Sequence, residues 1–220
     1  MIVQKHSPEQ VVREAFRDMP AMWNKLKQPI ERLQRDMRKN KSMRFQPQLH
    51  EYRSHAGNNW LVAILPTKKV LQYLSRLSGI APFVWYRGED GYYRAARIMQ
   101  DGICFHISHH VFDQYAERFN RTSDGLTRMK EFIRENMDFG TEYCLDNDDV
   151  RVGVKHGYII GTWVIPHKVA QLITFVDHGK LYAEQLEQMD RLDQQRVDGM
   201  RPTRTPGSNV KPWDLPRPEA

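Results

Sequence analysis

His110, Gln114, Glu117, Arg118 and Arg121 recur at helical spacing within Ile107–Arg121, I-S-H-H-V-F-D-Q-Y-A-E-R-F-N-R. At about 100° per residue they share a sector of roughly 100°, with Phe112, Tyr115 and Phe119 opposite. The spacing predicts a helix with a buried aromatic side and a polar stripe facing water or a cleft. Ser108 is placed to cap it, its hydroxyl accepting from a first-turn N–H. His110 then lies in the first turn, where the positive end of the helix dipole disfavours an imidazolium. A neutral imidazole can accept a proton near pH 7. Arg118, two turns on, keeps its charge and can hold a phosphate through two N–H groups. A base beside a fixed cation suits metal-independent cleavage of RNA through its own 2′-hydroxyl. A solvated helix face, with Glu117 and Arg121 as an i,i+4 pair, explains the same spacing without chemistry.

The pattern of His110, then Glu117-Arg118 seven and eight residues on, resembles the opening of short domains related to the RelE-like and barnase-like ribonuclease toxins. Leu172-Ile173-Thr174-Phe175-Val176 is similar to the closing strand of those domains. The resemblance covers about residues 107–176, which are also similar to uncharacterised proteins of bacterial mobile elements. It implies an RNA-cleaving site with His110, Arg118 and Thr174 as candidate catalytic residues. Gln114 departs from the pattern, standing where the family has its first arginine; if that arginine binds substrate, the site is inactive.

Charge placement suggests where a polyanion would lie. Residues 1–53 hold 12 of the 33 Lys and Arg and 6 of the 27 Asp and Glu, so the whole net charge of +6 resides there. The remaining 21 cations and 21 anions balance. Arg32, Arg35, Arg38, Lys39 and Lys41 gather on the outer side of an amphipathic stretch and, with Arg121, are the candidate nucleic-acid contacts. The partner expected is RNA or another polyanion, with a protein partner as the alternative. A plain solvated face, softened by Glu31 and Asp36, accounts for the same cluster.

Other chemistries lack their residues. There is no glycine-rich phosphate loop and no G-x-S-x-G nucleophile turn, and no cofactor is expected. His106, His109 and His110 are close in sequence, but the expected strand and helix geometry sends them apart, so no metal is expected. Cys104 and Cys144 are too far apart for a C-x-x-C site and read as buried thiols of a reducing, cytoplasmic setting. No apolar run is long enough to span a membrane.

The elements positioning these residues read as α+β, an antiparallel sheet packed by a central helix pair. Residues 1–45 form a basic helical arm, 58–196 the core and 199–220 a Pro-rich disordered tail. Ser7-Pro8-Glu9-Gln10 starts a helix through a capping box, which Pro20 interrupts and Pro29 kinks or restarts. Residues 42–58 read as loop. Trp60–Leu65 is a buried strand, and Lys68–Leu77 is helical. Phe83–Arg87 and Tyr92–Ile98 form a hairpin turned at Asp90-Gly91, followed by a strand at Ile103–Ile107. Leu126–Met137 is the second helix of the pair. Gly140–Leu145, Val150–His156, Tyr158–Ile165 and Val169–Val176 form a meander, and Leu181–Leu192 a last helix.

Overall fold

The structure, a computed structural model, describes residues 1–39, 47–65, 79–99, 102–119, 121, 123–143, 149–165, 168–180 and 194. Side chains are described for all of these but 34, 37, 38, 141–143 and 180. The chain is α+β. Helix α1 (Pro8–Lys39) precedes strands β1 (Gln48–Arg53), β2 (Asn59–Ile64), β3 (Ile80–Arg87), β4 (Tyr93–Ile98) and β5 (Cys104–Ile107). Helices α2 (His109–Arg118) and α3 (Gly125–Glu135) follow, then β6 (Gly140–Tyr143), β7 (Asp149–Val154), β8 (Gly157–Ile165) and β9 (Val169–Asp177). The predicted helix at Lys68–Leu77, the helix at Leu181–Leu192 and the 199–220 tail lie outside the described residues. No helix among the described residues is long and apolar enough to cross a membrane.

Among the described residues, the nine strands form one sheet, ordered β1-β2-β3-β4-β5-β9-β8-β7-β6. Every pairing is antiparallel except the central β5–β9 pair, which is parallel. The expected C-terminal meander is present, but it returns to dock beside β5 in the same direction. The helix pair lies within the long crossover that a parallel pair requires.

Strand alternation gives the sheet two apolar faces. Along β2, Trp60, Val62 and Ile64 meet α1, whereas Leu61 and Ala63 join the core under α2 and α3. A strand covered on both sides is apolar at nearly every position, which is why β2 reads as a continuous run. Beneath α2 and α3, Phe112, Tyr115, Phe132 and Phe175 pack edge to face.

α1 runs unbroken through Pro20 and Pro29 for 32 residues, so the expected interruption does not occur. An internal proline costs about 3 kcal/mol. Here that is offset by a long buried side carrying Val11, Ala15, Met22, Trp23, Leu26 and Ile30. The capping box forms as read: Ser7 N donates to Gln10 Oε1 and Gln10 N to Ser7 Oγ. Buried Asp18 anchors the helix, accepting from Asn58 Nδ2 at 3.0 Å and Trp60 Nε1 at 2.8 Å. The loop expected over 42–58 contains β1, an edge strand of mostly polar residues (Q-L-H-E-Y-R) whose weak alternation hid it.

Candidate functional site

α2 begins where β5 ends, with Ser108 at the N-cap position. The Ser108 hydroxyl does not cap the helix; it donates to the Ile173 carbonyl at 3.3 Å. The polar stripe then follows β9. Gln114 Oε1 accepts from Phe175 N at 2.7 Å, and Arg118 Nε lies 3.2 Å from Asp177 Oδ2. Four helical residues rise about 6 Å and two strand residues about 6.6 Å, which keeps the contacts in step. Replacing Gln114 by alanine should strand the Phe175 N–H and cost about 1–3 kcal/mol. A melting temperature unchanged by Gln114→Ala would show that this bond holds nothing.

The candidate residues are dispersed along this stripe. His110 is exposed, its ring 4.0 Å from that of His109. Arg118 is two turns away in its ion pair, and Thr174 is half-buried, in register with Ile160. Arg121 bonds Glu135 at 2.8 and 2.9 Å and lies 3.5 Å from Glu131, in place of the i,i+4 pair with Glu117. Glu135 also accepts from the Tyr115 hydroxyl at 2.7 Å, and His156 Nδ1 is 3.1 Å from that oxygen. Burial pushes the Glu135 carboxyl up, but Tyr115 and Arg121 more than offset this and leave it below its ordinary value. The contacts of Gln114 and Arg118 thus join α2 to β9, and Arg121, just past the end of α2, joins the chain there to α3.

Arg32, Arg35 and Lys39 are exposed on α1, as is Lys25. These four occupy a roughly 80° sector about 21 Å long, nearly opposite the buried side. Among the described residues none of the four forms an ion pair. The Arg38 side chain and Lys41 lie outside the described residues.

Two cavities accompany these surfaces. One, of about 790 Å³, adjoins the end of α3 and is lined by Pro47, Leu65, Arg134, Glu135, Met137, Asp138 and Lys155. The other, of about 410 Å³, lies at the start of α1 and is lined by Gln4, His6, Pro8, Tyr86, Glu89, Asp90, Arg94, His106 and Gln171. Neither is lined by His110 or Arg118. In the second, His106 is 2 % exposed and its Nε2 lies 2.7 Å from the Tyr86 hydroxyl. Burial, aided by Arg94, lowers the His106 imidazole to about 4, and burial raises the Tyr86 phenol to about 12. His106 Nδ1 is buried with no hydrogen-bond partner among the described residues. Asp90 holds the Arg94 guanidinium through both carboxylate oxygens, which lowers Asp90 to about 2. Gly88 makes room for this pair: a Cβ there would lie 1.8 Å from Arg94 Nη1. Just outside, Tyr92 stacks on His109 at 4.2 Å and 15°.

No family model, curated protein or solved structure matches the chain. Among the described residues, no group of three His, Cys, Asp or Glu side chains is placed to hold a metal ion.

Sequence reasoning did not single out Tyr86, Arg94 or Gln171. They come from three strands and converge through register: His106 pairs with Gln171 and Ala96, and Tyr86 with Arg94. The one advance signal was an imidazole inside an apolar strand, C-F-H-I, a place histidine occupies only with a partner or a task.

Proposed function

We propose that this chain binds RNA, with the outer side of α1 following the phosphate backbone. The observation carrying this reading is the row of Lys25, Arg32, Arg35 and Lys39, exposed and without ion pairs among the described residues, on a helix held rigid by its buried side. A phosphate contact needs an unpaired cation on a fixed support. Anisotropy titration of a short single-stranded RNA over a salt series tests this. Four contacts give a log–log slope of about −3, and affinity indifferent to salt would overturn the reading.

Cleavage is the stronger form of the proposal, with His110 accepting the 2′-hydroxyl proton, Arg118 stabilising the phosphate and Thr174 beside them. Cleavage needs these groups in one recess, whereas Arg118 is engaged by Asp177 and the two described cavities involve neither it nor His110. The geometry therefore gives more support to binding than to cleavage. RNA incubated in chelator with wild type and His110→Ala separates them. Cleavage by the wild type alone would establish the stronger form, and equal behaviour would leave a non-catalytic binding protein.

A further inference from the structure

The recess at the start of α1 is built differently from the basic row. Of its charges, Arg94 is matched by Asp90 within the wall, and Glu89 pairs at 3.4 Å with Lys5, an exposed residue outside the lining. An anion would meet two carboxylates and a guanidinium already engaged. A cation would meet Arg94, and an apolar guest would strip water from Tyr86 and the amides of Gln4 and Gln171 without replacing its bonds. What remains on offer is a set of uncharged donors and acceptors, with the ring side chains of Tyr86, His6 and Pro8 among the lining residues. His106, buried and lining the floor, has an unpartnered Nδ1 among the described residues. The volume of about 410 Å³ falls within the range of small-ligand sites.

We propose that this recess takes an uncharged, planar, hydrogen-bonding heterocycle of the nucleobase class, held by Tyr86 and Gln171, with His106 orienting the Tyr86 hydroxyl from behind. The base has two possible sources, a free nucleoside or a nucleotide of bound RNA; only the second rests on the RNA-binding reading. Tyr86 offers one hydroxyl already oriented by His106, and Gln171 offers a donor and an acceptor on one planar amide, which can match the edge of a base. Discrimination by such a site comes from the polar groups that a wrong ligand leaves unpaired.

The four ribonucleosides, titrated into the full chain and followed by NMR, test the proposal. At least one should saturate, with little change between about 50 and 200 mM salt because no phosphate is involved. Tyr86→Phe and Gln171→Leu should each weaken it about five-fold, the effect of one hydrogen bond. The combined Arg32→Glu, Arg35→Glu, Lys39→Glu variant should bind it unchanged. If RNA is the source, homo-oligoribonucleotides of the same base should bind best, and Tyr86→Phe should reduce that preference about five-fold. No saturation by any nucleoside together with equal binding of all homo-oligomers would overturn the proposal, even if salt-steep RNA binding persists. Nucleoside binding unaffected by both variants would overturn it too. Variant-sensitive nucleoside binding without RNA affinity would uphold the recess and sink the RNA reading instead. Circular dichroism melts check each variant, and Gln4→Leu replaces any that fails to fold.

Discussion

Replacing Arg32, Arg35 and Lys39 together by glutamate is expected to weaken RNA binding by roughly 100-fold near 0.1 M salt. A lost phosphate contact on a single strand removes about 0.7 from the log–log salt slope, and three remove about 2. At 0.1 M that change equals about two decades of affinity, before any repulsion from the new carboxylates. All three side chains are exposed on the side of α1 turned from the sheet, so folding should be undisturbed. The apolar side, from Val11 to Leu33, is untouched. The measurement is RNA anisotropy at several salt concentrations, with a thermal melt as control. A variant with wild-type affinity and slope would show that the row is an ordinary solvated face.

The same row shows how far the amino-acid order carries. The amphipathic pattern of α1, its capping box and its basic outer side are local properties, and each is present in the fold. The Asp90-Gly91 hairpin is local in the same way, with Gly91 at φ 82° supplying a backbone conformation that L side chains rarely adopt. Pro20 and Pro29 misled because local propensity is only one term, and burial of Met22, Trp23, Leu26 and Ile30 outweighs it. What could not be read were pairings across long separations. The parallel β5–β9 contact joins Cys104–Ile107 to Val169–Leu172, and no periodicity encodes it. Without it, Gln114 and Arg118 look free on a helix face, because their partners Phe175 and Asp177 are about 60 residues away. The same pairing puts Gln171 beside His106 and so completes the recess. The helix stripe was legible as a pattern; its commitments to β9 and α3 were not.

The second large effect concerns acid. The chain is expected to lose stability as pH falls from about 6.5 towards 4, with His106 as a principal cause. In the unfolded chain its imidazole takes a proton near the ordinary value of 6.5; in the fold, burial holds it neutral until about 4. Between those values the unfolded state binds more protons, so stability rises with pH across the window. The contribution is complete above about 6.5 and lost progressively below it, on the order of 3 kcal/mol in all and roughly 2 kcal/mol by pH 5. For a chain of this length that is a fall of roughly 4–8 °C in melting temperature between pH 7 and 5. His50, His109 and His156 are also lowered by burial and act in the same direction. The groups around His106 do not rescue its proton. Arg94 opposes a second positive charge, Asp90 is already taken by Arg94, and the Tyr86 phenol stays protonated throughout. His106→Gln keeps a polar partner for the Tyr86 hydroxyl while removing the titration, so its melting temperature should depend less steeply on pH than that of the wild type. Tyr86→Phe leaves the imidazole buried and should keep the steep dependence while lowering stability at every pH by about 1–3 kcal/mol. Parallel curves for wild type and His106→Gln would mean that the imidazole is not held neutral, and that His106 is more hydrated than its 2 % exposure indicates.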